Sequence, residues 1–253
     1  MKLTFLGTGT SQGVPVIGCD CPVCTSADPR DQRLRSSVLV SVGGTNILID
    51  SGPDLRQQML RARVHHIDAI LLTHEHNDHV IGLDDIRPFN FRTGRAMTVY
   101  ALPRVAGQVR QRFEYVFSNP VPGIPRIELV TIEKDTPLHI GNVPVQPIGV
   151  MHGHLPILGF RFGDLTYLTD VKTVEAAEKE KIKGTRWLIT SALHHREHPM
   201  HMNLVEAMAF VAEMAPEKAW LTHVSHHMGK MAEMDSRLPK GLMLAHDELE
   251  IDF

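Results

Sequence analysis

Cysteine is scarce in this chain of 253 residues: there are three, at Cys19, Cys21 and Cys24, all within "GCDCPVC". An odd number of thiols so closely spaced excludes a framework of disulfides holding distant parts of the chain together. Surplus charge is also missing. Lys and Arg number 26 against 29 Asp and Glu, for a net charge of -3, so no global basic field advertises a nucleic-acid or membrane partner, although a local basic groove stays open. No apolar run reaches the roughly 18 residues of a membrane span. The apolar part of "MKLTFLGTGTSQG" is too short for a signal peptide, so the expected setting is the cytoplasm, where thiols stay reduced. There is no repeat at a fixed period, no low-complexity tract and no evident linker. With 43% hydrophobic residues the chain can bury a substantial core, and one domain over 1–253 is expected.

Histidine is abundant, with 16 copies, many in short clusters. Alternation and breaker residues predict strands over 2–6, on both sides of Gly43-Gly44 in "SSVLVSVGGTNILID", and in "DAILLT" and "MTVYA". Further strands are predicted near 127–132, 143–150, 158–162 and 165–169, in "RWLIT" and "KAWLT", and in "LMLA" and "LEIDF". Helices are predicted in "DLRQQMLRA" and over 80–89, 103–117, 174–183 and 204–215, the third opened by an early Pro. This order suits two sheets packed face to face with helices outside, though the hydrophobic pattern alone does not single that layout out.

The densest cluster, "THEHNDH", follows directly on the predicted strand "DAILLT". A tight loop there can turn His74 and His76 toward one ion and Asp78 and His79 toward a second. Imidazole and carboxylate suit zinc, iron or manganese. A polar surface loop that happens to be rich in histidine is the bland alternative; it fits a lone His-x-His better than it fits this longer pattern. Cys19, Cys21 and Cys24 read as metal ligands in a reducing compartment, against the alternative of three metal-free thiols. Their fourth partner must then be a histidine, since no cysteine remains.

His-x-His-x-Asp-His resembles the signature of the metallo-β-lactamase superfamily, and "ILIDSG" resembles that family's strand-Asp-x-Gly element, with Asp50 supporting the site. The resemblance runs over nearly the whole chain. It implies an α/β (α+β) fold, the four-layer αββα metallo-β-lactamase sandwich, with metals at the edge of the two sheets. It implies a ligand in "VMHGH", where His152 matches better and His154 is the alternative, a bridging Asp170 in "TYLTDV", and His223 in "AWLTHVSHH". One ion would take His74, His76 and His152, the other Asp78, His79 and His223, with Asp170 between them. Two such ions, about 3.5–4 Å apart, share a hydroxide nucleophile at neutral pH.

The Cys-rich segment after the first strand is similar to that of two branches, the PhnP-type phosphodiesterases and the PqqB-type proteins of quinone-cofactor biosynthesis; the intact His-x-His-x-Asp-His set and "GTGTSQGVPVIGCDCPVC" resemble the PhnP type. There a structural zinc is completed by a histidine three residues past the last catalytic one, here His226, with His227 as the alternative. "MHMNLVEAM" resembles the segment carrying that family's proton donor, which assigns His201 to catalysis beside Asp78. His194 and His195 read as an exposed polar loop, and His198 as either loop or pocket wall. Asp247 reads as a support for a histidine. Arg33, Arg35, Arg92, Arg95, Lys172 and Lys230 are weak candidates for phosphate contacts, and loops over 89–95 and 119–126 are expected to shape the pocket.

The resulting expectation is a hydrolase with two catalytic divalent ions (zinc or manganese, with iron also admissible) and one structural zinc. It would cleave a small, even cyclic, phosphodiester. A nuclease of the tRNA 3′-processing type is the alternative; the missing basic surplus and Gly-rich arm count against it. The expected partner is thus a small molecule, with neither membrane nor nucleic acid, and a homodimer is compatible with the resemblance.

Overall fold

A computed structural model of the chain describes residues 1–118 and 121–253. One sheet starts as an antiparallel meander of β1 (Lys2–Gly7), β2 (Ser37–Val42) and β3 (Thr45–Ile49). It continues in parallel through β4 (Ala69–Leu71), β5 (Met97–Ala101) and β6 (Ile127–Thr131). The second sheet has the same plan: β7 (Leu138–Ile140), β8 (Val143–His152), β9 (Leu155–Phe162) and β10 (Leu165–Tyr167) are antiparallel. β11 (Trp187–Ser191), β12 (Lys218–Thr222) and β13 (Leu242–Leu244) then follow in parallel. The last strand, β14 (Glu250–Asp252), returns to the first sheet and pairs with β1, giving seven strands in each sheet.

Alternation along the strands explains the layering. On β3, Ile47 and Ile49 point into the core between the sheets, where they join Phe5, Phe160, Phe162 and Tyr167. Leu48, between them, points the other way, into the core under the helices. Both faces of the strand are therefore apolar, as in a strand covered on both sides. Helices α1 (Leu55–Arg61), α2 (Asn77–Val80), α3 (Arg87–Thr93), α4 (Pro103–Arg112) and α5 (Glu114–Ser118) belong to the first half of the chain, and Leu55, Phe89 and Val105 bury against its outer sheet face. Helices α6 (Ala176–Ile182), α7 (Leu204–Met214) and α8 (Met231–Met234) cover the second sheet through Ile182, Phe210 and Met234. The layers are thus helix, sheet, sheet, helix. No helix among the described residues is long and apolar enough to cross a membrane.

Two predicted helices break where the chemistry requires it. The segment 80–89 begins as α2, tightens into a 3₁₀ stretch over Ile81–Ile86 and restarts as α3. Pro88 has no N–H to give to the Asp84 carbonyl, and Arg87 Nε donates to that carbonyl instead. The segment 103–117 stops at Arg112 because Phe113, at φ -110 and ψ 38, leaves the helix and buries its ring; α5 follows. The strand β7 was too short to be read from periodicity, yet it pairs with β8 across a tight turn. Gly43 and Gly44, with φ of 56 and 88, form the two-residue turn joining β2 and β3, a geometry a β-carbon would strain.

β3, β4, β8, β10 and β12 end at one edge of the sandwich, because parallel strands, and alternate strands of a meander, deliver their C-terminal ends on the same side. The loop after β3 locks against the loop after β4. Ser51 N donates to the His79 carbonyl at 2.7 Å, and Gly82 N to the Ser51 carbonyl at 2.9 Å. A β-carbon at Gly52 would lie 2.1 Å from the Asp78 carbonyl oxygen. Gly52→Ala is therefore expected to push the 78–82 loop outward and to cost about 1–3 kcal/mol, read as a lower Tm in thermal unfolding; an unchanged Tm would show that this approach is slack.

Candidate metal centre

The strand ends gather His74, His76, Asp78, His79, His152, Asp170, His201 and His223. Donor atoms of His74, His76 and His152 lie within 4.8 Å of one another, as do those of His74, His79 and Asp170, and of His152, Asp170 and His201. Asp78 and His223 join through single contacts: Asp78 Oδ2 is 3.3 Å from His79 Nε2, and His223 Nδ1 is 3.1 Å from Asp170 Oδ2. His152 is buried in the cluster, whereas His154 is exposed and outside it. Asp50, Asp170 and His223 hold φ of 63, 55 and 55. Left-handed backbone is costly for residues with a side chain, and three such residues at the ends of strands around one cluster mark a site where geometry outranks local stability.

Hydrogen bonds set which ring nitrogens are free. His79 Nδ1 donates to Asp50 Oδ2 at 2.7 Å. The same carboxylate accepts from the Thr73 amide and hydroxyl, both at 2.8 Å. With its hydrogen given to Asp50, the Thr73 hydroxyl accepts from His74 Nδ1 at 2.9 Å. His152 Nδ1 donates to the Met200 carbonyl at 2.9 Å. In all three rings the Nε2 lone pair is left facing the cluster, as in the supporting shells of metal-ligating histidines. His74 Nε2 meets His76 Nδ1 at 3.0 Å.

A divalent cation fits this arrangement. His79 Nε2 and His223 Nδ1 are buried without a hydrogen-bond partner, and each faces carboxylate oxygen. Burial pushes the His79 imidazole down, but Asp170, Asp50 and Asp78 outweigh it and hold the ring well above its ordinary value. The spot demands positive charge. Asp170, though buried, is held well below the ordinary carboxylate range by His223, His79, His74 and His201 against the opposing effect of burial. His201 is pushed down to about 3, first by burial and then by His223, with Asp170 acting the other way.

The three thiols meet their fourth partner. Cys19, Cys21 and Cys24 Sγ lie 3.3, 3.4 and 3.4 Å from His226 Nδ1. A tetrahedral zinc with Zn–S of about 2.3 Å and Zn–N of about 2.0 Å sets sulfur and nitrogen about 3.5 Å apart. The Cys24 amide, helped by His226, lowers the Cys21 thiol to about 6 against burial. Burial, then the Cys21 and Cys19 sulfurs, raise Cys24 to about 11. Without a cation Cys21 ionises readily while Cys24 is opposed by burial and by the neighbouring sulfurs, an opposition that a cation would relieve. His227 stands outside this set.

A cleft of about 340 Å³ opens over His201 and His223. Its walls come from 10–12, Leu193, His194, His198 and 225–227, and 89–95 and 121–126, from the expected pocket loops, take no part in it. Most of 89–95 is helix α3, while Asn119 and Pro120 lie outside the described residues. His195 is exposed, but His194 is half-buried on the cleft wall beside His198, contrary to its reading as an exposed loop residue. The run "LHHREHP" held that signal, but which histidines turn inward depends on the fold. Arg33 is buried and donates to the Thr8 hydroxyl and Ala245 carbonyl, Arg35 pairs with Asp54, and Lys172 with Glu206. The Asp247 carboxylate meets no histidine among the described residues; it accepts from Thr8 Oγ1, the Leu34 amide and Arg61.

Asp170→Ala is expected to lower the metal content of the His/Asp cluster, leave the cysteine-bound ion in place and abolish hydrolysis. Elemental analysis of the purified variant checks this, and a full metal complement with normal turnover would refute it. Cys21→Ser is expected to remove one ion per chain and lower Tm. In the wild type, ionisation at about 6 against an ordinary 9.0 means that the Cys21 thiolate contributes fully above pH 9 and fades as the pH falls through about 6. A bound cation holds the thiolates ionised further down still, so metal release is expected on acidification below that window; an ion whose retention does not depend on pH would refute the thiolate assignment.

A family model described as a beta-lactamase superfamily domain matches residues 45–224. An octanoyltransferase of Porphyromonas gingivalis is 42% identical over 253 residues, 99% of this chain and 51% of that protein. Coenzyme PQQ synthesis protein B of Methylobacterium radiotolerans is 36% identical over 114 residues, 40% of this chain and 36% of that protein. The chain thus spans about half the length of the first curated relative and aligns with a smaller part of the second. Among solved structures, a diphosphatase from the PhnP family superposes with a TM-score of 0.94 at 38% identity, covering 100% of this chain and 96% of that one. Zinc-bound PqqB from Methylobacterium extorquens superposes with a TM-score of 0.82 at 22% identity, covering 100% of both chains, a likeness of fold. With the layered sandwich and the His-x-His-x-Asp-His cluster at its edge, these matches place the chain in the beta-lactamase superfamily, as a protein of the metallo-β-lactamase fold akin to the PhnP proteins.

Proposed function

We propose that the chain is a metal-dependent phosphodiesterase of a small substrate. The observation that carries this is the convergence of two imidazole–carboxylate groups that share Asp170, one of them including His201, under an open cleft. In this reading His74, His76 and His152 hold one ion, Asp78, His79 and His223 the other, and Asp170 lies between; the ions are zinc, manganese or iron. Cys19, Cys21, Cys24 and His226 hold a structural zinc, a closed set with no position for substrate. Bound at the cluster, divalent ions supply Lewis acidity toward phosphoryl oxygens and make water a stronger nucleophile at neutral pH.

The chain's own groups prepare that chemistry. Asp50 and Thr73 orient His79 and His74, and the Met200 carbonyl orients His152. His201 is set by its neighbours: Met202 N donates to the Val171 carbonyl, and its carbonyl accepts from Leu193 N. Asn203 and Glu206 then cap α7 reciprocally. His201 Nδ1 is buried without a partner, 3.7 Å from Asp170 Oδ1. The ring is neutral in the free site, so its role as proton donor needs a proton gained as an anionic phosphate enters and offsets the burial.

A second reading, cleavage of a diphosphate linkage, is favoured by the 38% identical structure described as a diphosphatase. Both readings place attack at phosphorus and differ in the departing group. Acyl transfer, named for the Porphyromonas gingivalis relative, belongs to a protein of which this chain matches 51%. Screening the metal-loaded protein against phosphodiesters, diphosphate diesters, phosphomonoesters, lactams and thioesters separates these activities.

His201→Ala is expected to lose about 10²–10⁴-fold in rate on an alkyl or ribosyl phosphodiester. On a nitrophenyl ester, whose leaving group departs without a proton, the loss should be far smaller, with metal content unchanged. Equal losses on both substrates would turn His201 from proton donor into a binding or positioning group.

A further inference from the structure

Asp50 and Asp170 are the two buried carboxylates at the metal cluster, and they are held very differently. Asp50 accepts three hydrogen bonds, from His79 Nδ1 and from the amide and hydroxyl of Thr73. Asp170 accepts one among the described residues, from the Thr169 hydroxyl to Oδ2 at 2.7 Å. Its other close neighbours are histidine rings. His223 Nδ1 and His79 Nε2 stand 3.1 and 3.4 Å from Oδ2, and His201 Nδ1 stands 3.7 Å from Oδ1. The nitrogens of His79 and His223 are ligand atoms in the two-ion reading, and a ring nitrogen whose lone pair meets a cation has no hydrogen to give. The torsion of an aspartate carboxylate is broad and roughly two-fold, so the side chain sets no plane of its own. The hydroxyl of Thr169 is what remains to set it.

Thr169 is itself firmly placed. It is wholly buried, and its β-branched side chain is stiff at the first torsion. The backbone is pinned on both sides: Leu168 N donates to the Ile189 carbonyl and Val171 N to the Ser191 hydroxyl oxygen, each at 2.9 Å. From there the hydroxyl selects the oxygen that faces His79 and His223. Oδ1 is left on the side where His152 converges with Asp170 and His201 within 4.8 Å.

We propose that Thr169 is a positioning residue for the metal pair: its hydroxyl fixes the rotation of the Asp170 carboxylate, so that Oδ2 serves the ion of Asp78, His79 and His223 and Oδ1 that of His74, His76 and His152. The proposal rests on the two-ion reading of the cluster and adds to it the group that divides Asp170 between the ions. Thr169 touches neither ion nor substrate and acts through Asp170. Because the hydroxyl holds Oδ2, the ion on that side depends on it most.

The test is a calorimetric titration of manganese(II) into protein whose His/Asp cluster has been emptied while the cysteine-bound zinc stays in place. Manganese suits imidazole and carboxylate and does not compete for thiolates. Thr169→Val keeps the shape and removes the hydroxyl; it should weaken one of the two binding steps about 10–100-fold, as loss of a group that orients a metal ligand does, and leave the other step little changed. Thr169→Ser keeps the hydroxyl and removes the methyl; it should bind as the wild type does. A packing role would give the opposite pattern. If Thr169→Val does not fold, Thr169→Ala set against Thr169→Ser makes the same comparison, since both lack the methyl and the alanine alone lacks the hydroxyl. Electron paramagnetic resonance gives a second reading: with metal supplied at the level that just fills the wild type, the wild type and Thr169→Ser should show the coupled signal of neighbouring ions, and Thr169→Val the signal of isolated ones. Unchanged affinities in Thr169→Val, equal losses at both steps, or a loss that Thr169→Ser shares would overturn the proposal. Uptake of a single manganese ion per cluster by the wild type would count against the two-ion reading, while the comparison of the valine and serine variants on that ion still decides whether Thr169 positions Asp170.

Discussion

The Asp50 carboxylate is the pivot of the metal cluster. Wholly buried at the end of β3, it accepts from His79 Nδ1 and from both the amide and the hydroxyl of Thr73. Through Thr73 it also fixes the proton on His74. One side chain from one strand thereby sets the tautomers of two rings carried by the next loop. A buried carboxylate without these donors would be strongly disfavoured, so the loop after β4 cannot drift without leaving Asp50 unsatisfied. The close approach of Gly52 to the Asp78 backbone tightens the same coupling from below.

That arrangement depends on the doubled sheet plan. Each sheet turns from an antiparallel meander to parallel strands, and parallel strands end together. Asp50 comes from β3, the histidine loop follows β4, and His152, Asp170 and His223 come from β8, β10 and β12. The left-handed backbone at Asp50, Asp170 and His223 turns each side chain over the edge of the sandwich. The dense apolar core between the sheets, from Leu3 to Trp220, supplies the rigidity that holds such strain.

The N-terminal loop is tied to the opposite side of the site three times over. Val224 N donates to the Thr8 carbonyl, the cysteines meet His226, and Asp247 joins Thr8, Leu34 and Arg61. These ties hold the segment carrying Thr10 against the one carrying Ser225, and both residues line the cleft. The cysteine cluster thus bears on the shape of the binding region while standing apart from the His/Asp group.

Much of this was legible along the chain. The strands in "SSVLVSVGGTNILID", "RWLIT" and "KAWLT" stand close to where alternation and turn residues put them, because local pattern and tertiary environment agree there. The breaks within 80–89 and 103–117 were not, since an apolar helical period continues across the 3₁₀ stretch of the first and across Phe113 in the second. Nor was β7, whose three residues are stabilised by pairing with β8 rather than by their own pattern. Sequence alone determined the kinds of side chain available, the spacing of His74, His76, Asp78 and His79, and the cysteine trio, because these are local and chemical. Only the tertiary structure decided that His152 rather than His154 enters the cluster, that His226 rather than His227 meets the thiols, and that His194 faces the cleft. In each of these short histidine-rich runs neighbouring rings are chemically equivalent, and the choice between them rests on backbone direction at a strand or loop end, set by packing against elements far away in the chain.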